Sequence, residues 1–159
     1  MFHKILAAID RSPNGKTVFD QALVLAKTTG SSLMLLHVLS GEEENSPPMP
    51  PLIAPEYSLL QGEFLDDYWT QWKTYEEQGL TLLRSLTEEA ANAGVSNEFT
   101  QNAGSPSREI CEVARTWGAD LIVIGRRGHS SLHELIVGSV SNYVFHHASC
   151  SVHVVFKGY

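Results

Sequence analysis

Five short apolar runs, separated by stretches of helical period, constrain this chain more than any other feature of its 159 residues. They lie at 4–9, 32–39, 97–103, 120–124 and 151–156. Each is too short for a helix and is bounded by Asp, Ser, Gly or Pro, so each predicts a strand. The run at 97–103 is the weakest, with Phe99 its only large apolar residue. Between them, Val18, Ala22, Leu23, Leu25 and Ala26 repeat at helical spacing over 13–29. Ser12 and Pro13 read as the cap and first position of that helix, and Gly30 as its stop. Leu65, Trp69, Trp72, Leu83, Leu86 and Ala90 predict a long amphipathic helix, kinked near Gly79 and closed by Gly94. Ser105-Pro106 opens a further helix that ends at Gly118, and 140–147 carries the last helical pattern. Apolar strands alternating with helices predict a parallel sheet covered on both faces. Right-handed crossovers then give a doubly wound, three-layer α/β sandwich.

Composition fits one soluble domain over 1–159, with 43% hydrophobic and 18% charged residues. A proline-rich, acidic loop is inserted at about 40–56. A net charge of −7 argues against general binding to nucleic acid or anionic membrane. No apolar run approaches the roughly 18 residues of a membrane span, and no signal-peptide pattern opens the chain. With two cysteines there is no disulfide framework, so the cytoplasm is the expected compartment.

In doubly wound sheets ligands sit beyond the carboxyl ends of strands, where the strand order reverses. Asp10, Val38 and Gly125 stand at such ends. Gly125 and Gly128 follow the fourth apolar run, and Gly138-Ser139 opens the last helical pattern. The first turn of a helix offers unpaired N–H groups and partial positive charge, which suit an anion. Glycine at 138 lets a phosphate approach those groups, and the Ser139 hydroxyl adds a donor. Turns and helix–strand packing are the other use such glycines have.

The spacing Gly125-x2-Gly128-x9-Gly138-Ser139, with Asp10 after the first strand, resembles the universal stress protein family, specifically its nucleotide-binding subgroup. The likeness extends to 4–10, to Leu36-His37-Val38, to 119–125 and to 152–155. It implies a five-stranded parallel Rossmann-like sheet of the adenine nucleotide alpha hydrolase type, in the order 3-2-1-4-5. It also implies a pocket for ATP or AMP, with Mg or Mn carried on the phosphates. Transferred position by position, Asp10 and the Val38 backbone would hold adenosine, and Ala8 and Ile9 would wall the base. Gly125 would meet the ribose, while Gly128, Gly138, Ser139 and Val140 would cradle phosphates. Ile124 and Ser141 complete the set. Arg126 and Arg127 occupy variable positions, and phosphate contact from them is our own reading. Ser151 departs from the proline many relatives carry there. The resemblance further implies a homodimer formed through the last strand, 151–156.

Other constellations carry less. His129 and His133 are four apart, but Ser130 stands where an H-E-x-x-H zinc site needs glutamate. His146 and His147 cannot share a helix face and read as surface residues. The Trp69, Trp72 and Tyr75 stripe reads as a core or interface face, and Glu42-Glu43-Glu44 as a solvated loop. Cys111 and Cys150 read as packing residues. The expected function is a nucleotide-dependent regulatory module of the stress response and not an enzyme. A slow ATPase or phosphotransferase and a nucleotide-independent dimeric regulator are the alternatives.

Overall fold

A computed structural model describes residues 1–50, 56, 58–126 and 138–156. The elements are β1 (Lys4–Ala8), α1 (Pro13–Thr29), β2 (Ser32–Leu39), α2 (Ser58–Asn92), β3 (Asn97–Ala103), α3 (Pro106–Trp117), β4 (Leu121–Gly125), α4 (Ser139–His147) and β5 (Ser151–Val155). All strand pairings are parallel, and the five strands stand in the order β3-β2-β1-β4-β5. β1 pairs Ala8 with Leu36 on one side and with Ile124 on the other.

The period of a strand sends alternate residues to opposite faces, and both faces here are dry. Ile5, Ala7, Leu33, Leu35, Leu121 and Val123 pack against α1 and the second half of α2. Leu6, Met34, Leu36, Val38, Ile122 and Ile124 pack against α3 and α4. That double burial explains why the strands read as continuous apolar runs. The two edge strands, β3 and β5, are only partly buried, and for β3 this matches its weaker sequence.

One local expectation is corrected. Ser12 is the N-cap residue of α1, yet its side chain makes no cap hydrogen bond. Its hydroxyl donates instead to Asp10 Oδ1 at 2.5 Å. The charged acceptor two residues away fixes the hydroxyl toward itself as a donor, which turns its oxygen away from the helix amides it would have accepted from as a cap. α2 is helical throughout its 35 residues, Gly79 included. A Cβ at 79 would collide with the side chains of Gln101 and His37, at 2.3 Å from Nε2 of the one and 2.6 Å from Nδ1 of the other. The glycine therefore serves close approach of the helix to the sheet.

The aromatic stripe of α2 divides. Tyr75 is buried, whereas Trp69 is 61% exposed. Phe19 of α1 is fully buried against the sheet. Phe19→Ala should therefore lower unfolding free energy by about 3–5 kcal/mol in urea titrations. Trp69→Ala should change it by no more than ~0.5 kcal/mol; a larger loss would show that this half of α2 is covered.

Candidate functional site

The reversal of strand order puts the ends of β1 and β4 side by side, and a cleft opens above them. Its volume is about 300 Å³, within the size range of small-molecule sites. Ala8, Ile9, Ile124 and Gly125 form the floor. Leu36, Val38, Pro106 and Ile110 make one wall apolar, and Glu42 stands beside them. Gly138, Ser139, Val140 and Ser141 form the opposite rim, with Asp10 also in the lining.

The rim has the electrostatics of a helix start. The first intrahelical bond of α4 runs from the Asn142 amide to the Gly138 carbonyl at 2.8 Å. The amides of Ser139, Val140 and Ser141 consequently have no partner within the helix. The Ser141 hydroxyl donates to the Gly138 carbonyl at 3.0 Å and steadies this turn, while Ser139 is exposed. Gly138 has φ −56° and ψ 155°, values open to any residue, so backbone conformation does not demand glycine there.

Asp10 is oriented by its own turn. Its Oδ1 accepts the Ser12 amide at 3.1 Å and the Ser12 hydroxyl at 2.5 Å. Gly125 lines the cleft, but the space its missing Cβ would fill lies toward α1, against Asn14 Nδ2 and Val18 Cγ2. Asn14 Nδ2 donates to the Arg126 carbonyl at 3.3 Å, so this contact also ties α1 to the strand end. Packing thus accounts for this glycine by itself.

Of the positions singled out from sequence, Ala8, Ile9, Asp10, Val38, Ile124, Gly125, Gly138, Ser139, Val140 and Ser141 meet in this one cleft. Arg126 sits apart from the lining, its guanidinium over the Phe156 ring at 5.6 Å from the centroid. Arg127 and Gly128, like His129, His133 and Glu134, lie outside the described residues. Leu36, Pro106, Ile110 and Glu42 line the cleft and escaped the sequence reading. Leu36 was accessible by strand period from Val38, and Ile110 by helix period from Pro106. Glu42 had no such signal.

The acidic turn is not simply solvated, as its sequence implies. Glu43 is only 5% exposed, because donors from Arg11, His37 and Tyr75 converge on its carboxylate. His146 and His147 are exposed, and the His147 ring stacks on Tyr143 at 3.9 Å between centroids. Cys111 and Cys150 are half-buried, and burial pushes both thiols up from the ordinary cysteine range. Among the described residues no cluster of three or more His, Cys, Asp or Glu could hold a metal. No helix among them is long and apolar enough to cross a membrane.

The profile of the universal stress protein family matches residues 1–155. The chain belongs to the universal stress protein family. It is 34% identical to universal stress protein Sll1388 of Synechocystis sp., over 97% of each chain. It is 35% identical to universal stress protein YxiE of Bacillus subtilis, over 98% of this chain and 99% of that one. In fold it matches the family member UspA from Lactobacillus plantarum with TM-score 0.68 and 24% identity, covering 96% and 97% of the two chains. A universal stress protein solved in complex with cAMP matches with TM-score 0.63 at 18% identity, covering 99% of this chain and 98% of its own. An Arabidopsis thaliana member with AMP bound matches with TM-score 0.59 at 21% identity, covering 98% and 92%.

The dual position of Gly125 generates a sign that opposes simple propensity. Alanine in a strand interior is normally favoured over glycine. Here Gly125→Ala should lower stability by about 1–3 kcal/mol, because Asn14 and Val18 must move. Adding Asn14→Ala should recover part of that loss in the same denaturant titration. A stabilised single variant would contradict this account.

Proposed function

We propose that this chain acts as a single cytoplasmic regulatory domain that binds an adenine nucleotide, ATP or AMP, in the cleft above β1 and β4. Adenosine lies against Leu36, Val38 and the β1 end, with Asp10 accepting from it. The phosphates lie at the first turn of α4, on the amides of 139–141 and the Ser139 hydroxyl, with Mg or Mn carried on the phosphates. Gly128 and Arg127, which follow β4 in sequence, supply further phosphate contacts in this reading. The observation that carries this reading is one cleft with an apolar wall and, across it, the first turn of a helix, whose amides have no partner within the helix. An anion with an aromatic, apolar head needs such a pair of ends. The AMP and cAMP held by two structural neighbours add the choice of adenine.

Binding is the function we assign, and not turnover. Phosphoryl transfer needs a positioned base and charge stabilisation at the transferring group. The carboxylate nearest the strand ends, Asp10, already accepts two bonds from Ser12. Purified protein with ATP and magnesium should hydrolyse far below the ~1–100 s⁻¹ of kinases. Calorimetry with ATP, AMP and adenosine tests the binding itself. Ser139→Ala should weaken AMP and ATP by roughly ten- to a hundred-fold and spare adenosine. Asp10→Ala should weaken all three. Ligand-stripped wild-type protein that binds none of them would sink the reading.

Nucleotide occupancy acts, on this reading, through a two-fold homodimer formed by 151–156. β5 is an edge strand of the sheet, and Phe156 beyond it is exposed. An open edge with an apolar margin pairs readily with a second copy. Sedimentation at micromolar concentration should show a dimer that Val154→Lys weakens, with circular dichroism confirming the variant's fold. A monomer across that range would remove the assembly from the proposal.

A further inference from the structure

The first half of α2 runs past the sheet. The Tyr75 hydroxyl donates to Glu43, just beyond the end of β2, and the Glu76 carbonyl accepts from Gln101, near the end of β3, at 3.1 Å. From there onward the helix lies on the sheet, with Leu83, Leu86 and Ala90 in the core. The residues before Tyr75 therefore project beyond the carboxyl ends of the strands. At 1.5 Å per residue, the stretch 64–74 adds about 15 Å.

The packing face of the helix continues into this projection. Leu65, Trp69, Trp72 and Tyr75 follow at steps of three or four and lead on through Gly79 into the buried stripe of Leu83, Leu86 and Ala90. Where the sheet ends, the stripe turns aromatic and loses its cover: Phe64 is 47% exposed and Trp69 61%. The rings brace one another. Tyr68 meets Trp69 at 5.4 Å and Trp72 at 6.1 Å between centroids, and Trp72 meets the buried Tyr75 at 5.3 Å. Rings held in this way have less rotamer freedom to lose when something docks on them.

Contiguous apolar surface of this kind marks an interaction face, and charge selects its occupant. Residues 62–78 carry Glu63, Asp66, Asp67, Glu76 and Glu77 against Lys73 alone, so this stretch holds four of the seven net negative charges of the chain. By helical period Asp66 falls beyond Trp69 on one margin of the stripe, and Asp67 beyond Phe64 on the other. A second copy would lay like charge along like charge, and an anionic bilayer would repel the same margins. A cationic partner is drawn to them.

We propose that the projecting half of α2 is a docking face for a partner protein and takes a basic amphipathic helix. The apolar side of that helix packs on Phe64, Leu65, Trp69 and Trp72, while its lysines or arginines reach Asp66 and Asp67. Trp69 is the anchor, as the large ring most open to a partner. None of these residues lines the cleft, so the face does not rest on the nucleotide reading.

The probe is a helical peptide of leucine and lysine, about 18 residues long, with its leucines on one face. One control has the same residues with the leucines scattered round the helix, and the other has glutamate for lysine. Calorimetry on the full chain should give a micromolar Kd for the probe and binding weaker by about ten-fold or more for each control. Tryptophan emission should shift to the blue as the probe binds, since two of the three tryptophans lie on the stripe. Trp69→Ala should weaken the probe by about ten-fold or more. Asp66→Asn with Asp67→Asn should weaken it by roughly three- to ten-fold and flatten its salt dependence. Circular dichroism checks each fold, and Phe64→Ser replaces Trp69→Ala should that variant not fold. Equal affinity for the scattered peptide, or no loss on removing the anchor ring, overturns the proposal. An assembly in sedimentation that Trp69→Ala dissolves gives the face to a second copy, and a blue shift with neutral phosphatidylcholine vesicles gives it to a bilayer; either overturns it. Acrylamide quenching that Trp69→Phe leaves unchanged does so too, because the ring would already be covered within the chain.

Discussion

The structure depends on β1 being paired along both edges and covered on both faces. It hydrogen-bonds to β2 and to β4, and its side chains alternate between the two helical layers. Five residues, Lys4–Ala8, hold that position. The strand is kept in register at its start by Asp120, whose carboxylate accepts the His3 and Lys4 amides at 2.8 and 3.2 Å. Because the chain leaves β1 toward one side of the sheet and returns as β4 on the other, the ends of these two strands cannot be bridged by one crossover. The cleft is the space that topology leaves over.

What surrounds that space divides by face. On the α3 and α4 side the strand ends present small and apolar groups. On the α1 and α2 side the same strand, β2, contributes a histidine to a filled polar cluster. One residue of strand period separates a ligand-facing wall from a buried hydrogen-bonded network. The glycine at 79 allows α2 to lie against that network, so a long helix and a short acidic turn share an anchor.

Strands, helices and their order were legible because the sheet is dry on both sides, and double burial writes itself as unbroken apolar sequence. Asp10, Val38, Gly125, Gly138 and Ser139 were legible because strand ends and a helix start are local features with their own residue preferences, whereas Ala8, Ile9, Ile124, Val140 and Ser141 came only with the family resemblance. Glu43 was not. Its burial is decided by Arg11 and Tyr75, each 32 residues away along the chain, and by His37 on the adjoining strand. Three glutamates in a row look like solvent-facing charge until the partners are in place. Ser12 failed for a smaller reason of the same kind: its hydroxyl donates to a nearby carboxylate, where capping needs its oxygen to accept from helix amides, and propensity alone does not rank the two.

Gly125 bears on how such glycines are to be weighed as markers. Its bare α-carbon is required from the inside, by Asn14 and Val18, before any ligand is considered. A descendant of this chain that had abandoned its ligand would still be held to glycine there by the core. Gly138 has ordinary dihedral angles, so its conformation offers no comparable restraint. Drift at 138 with constancy at 125 would be the signature of a pocket that has fallen out of use in a fold that has not.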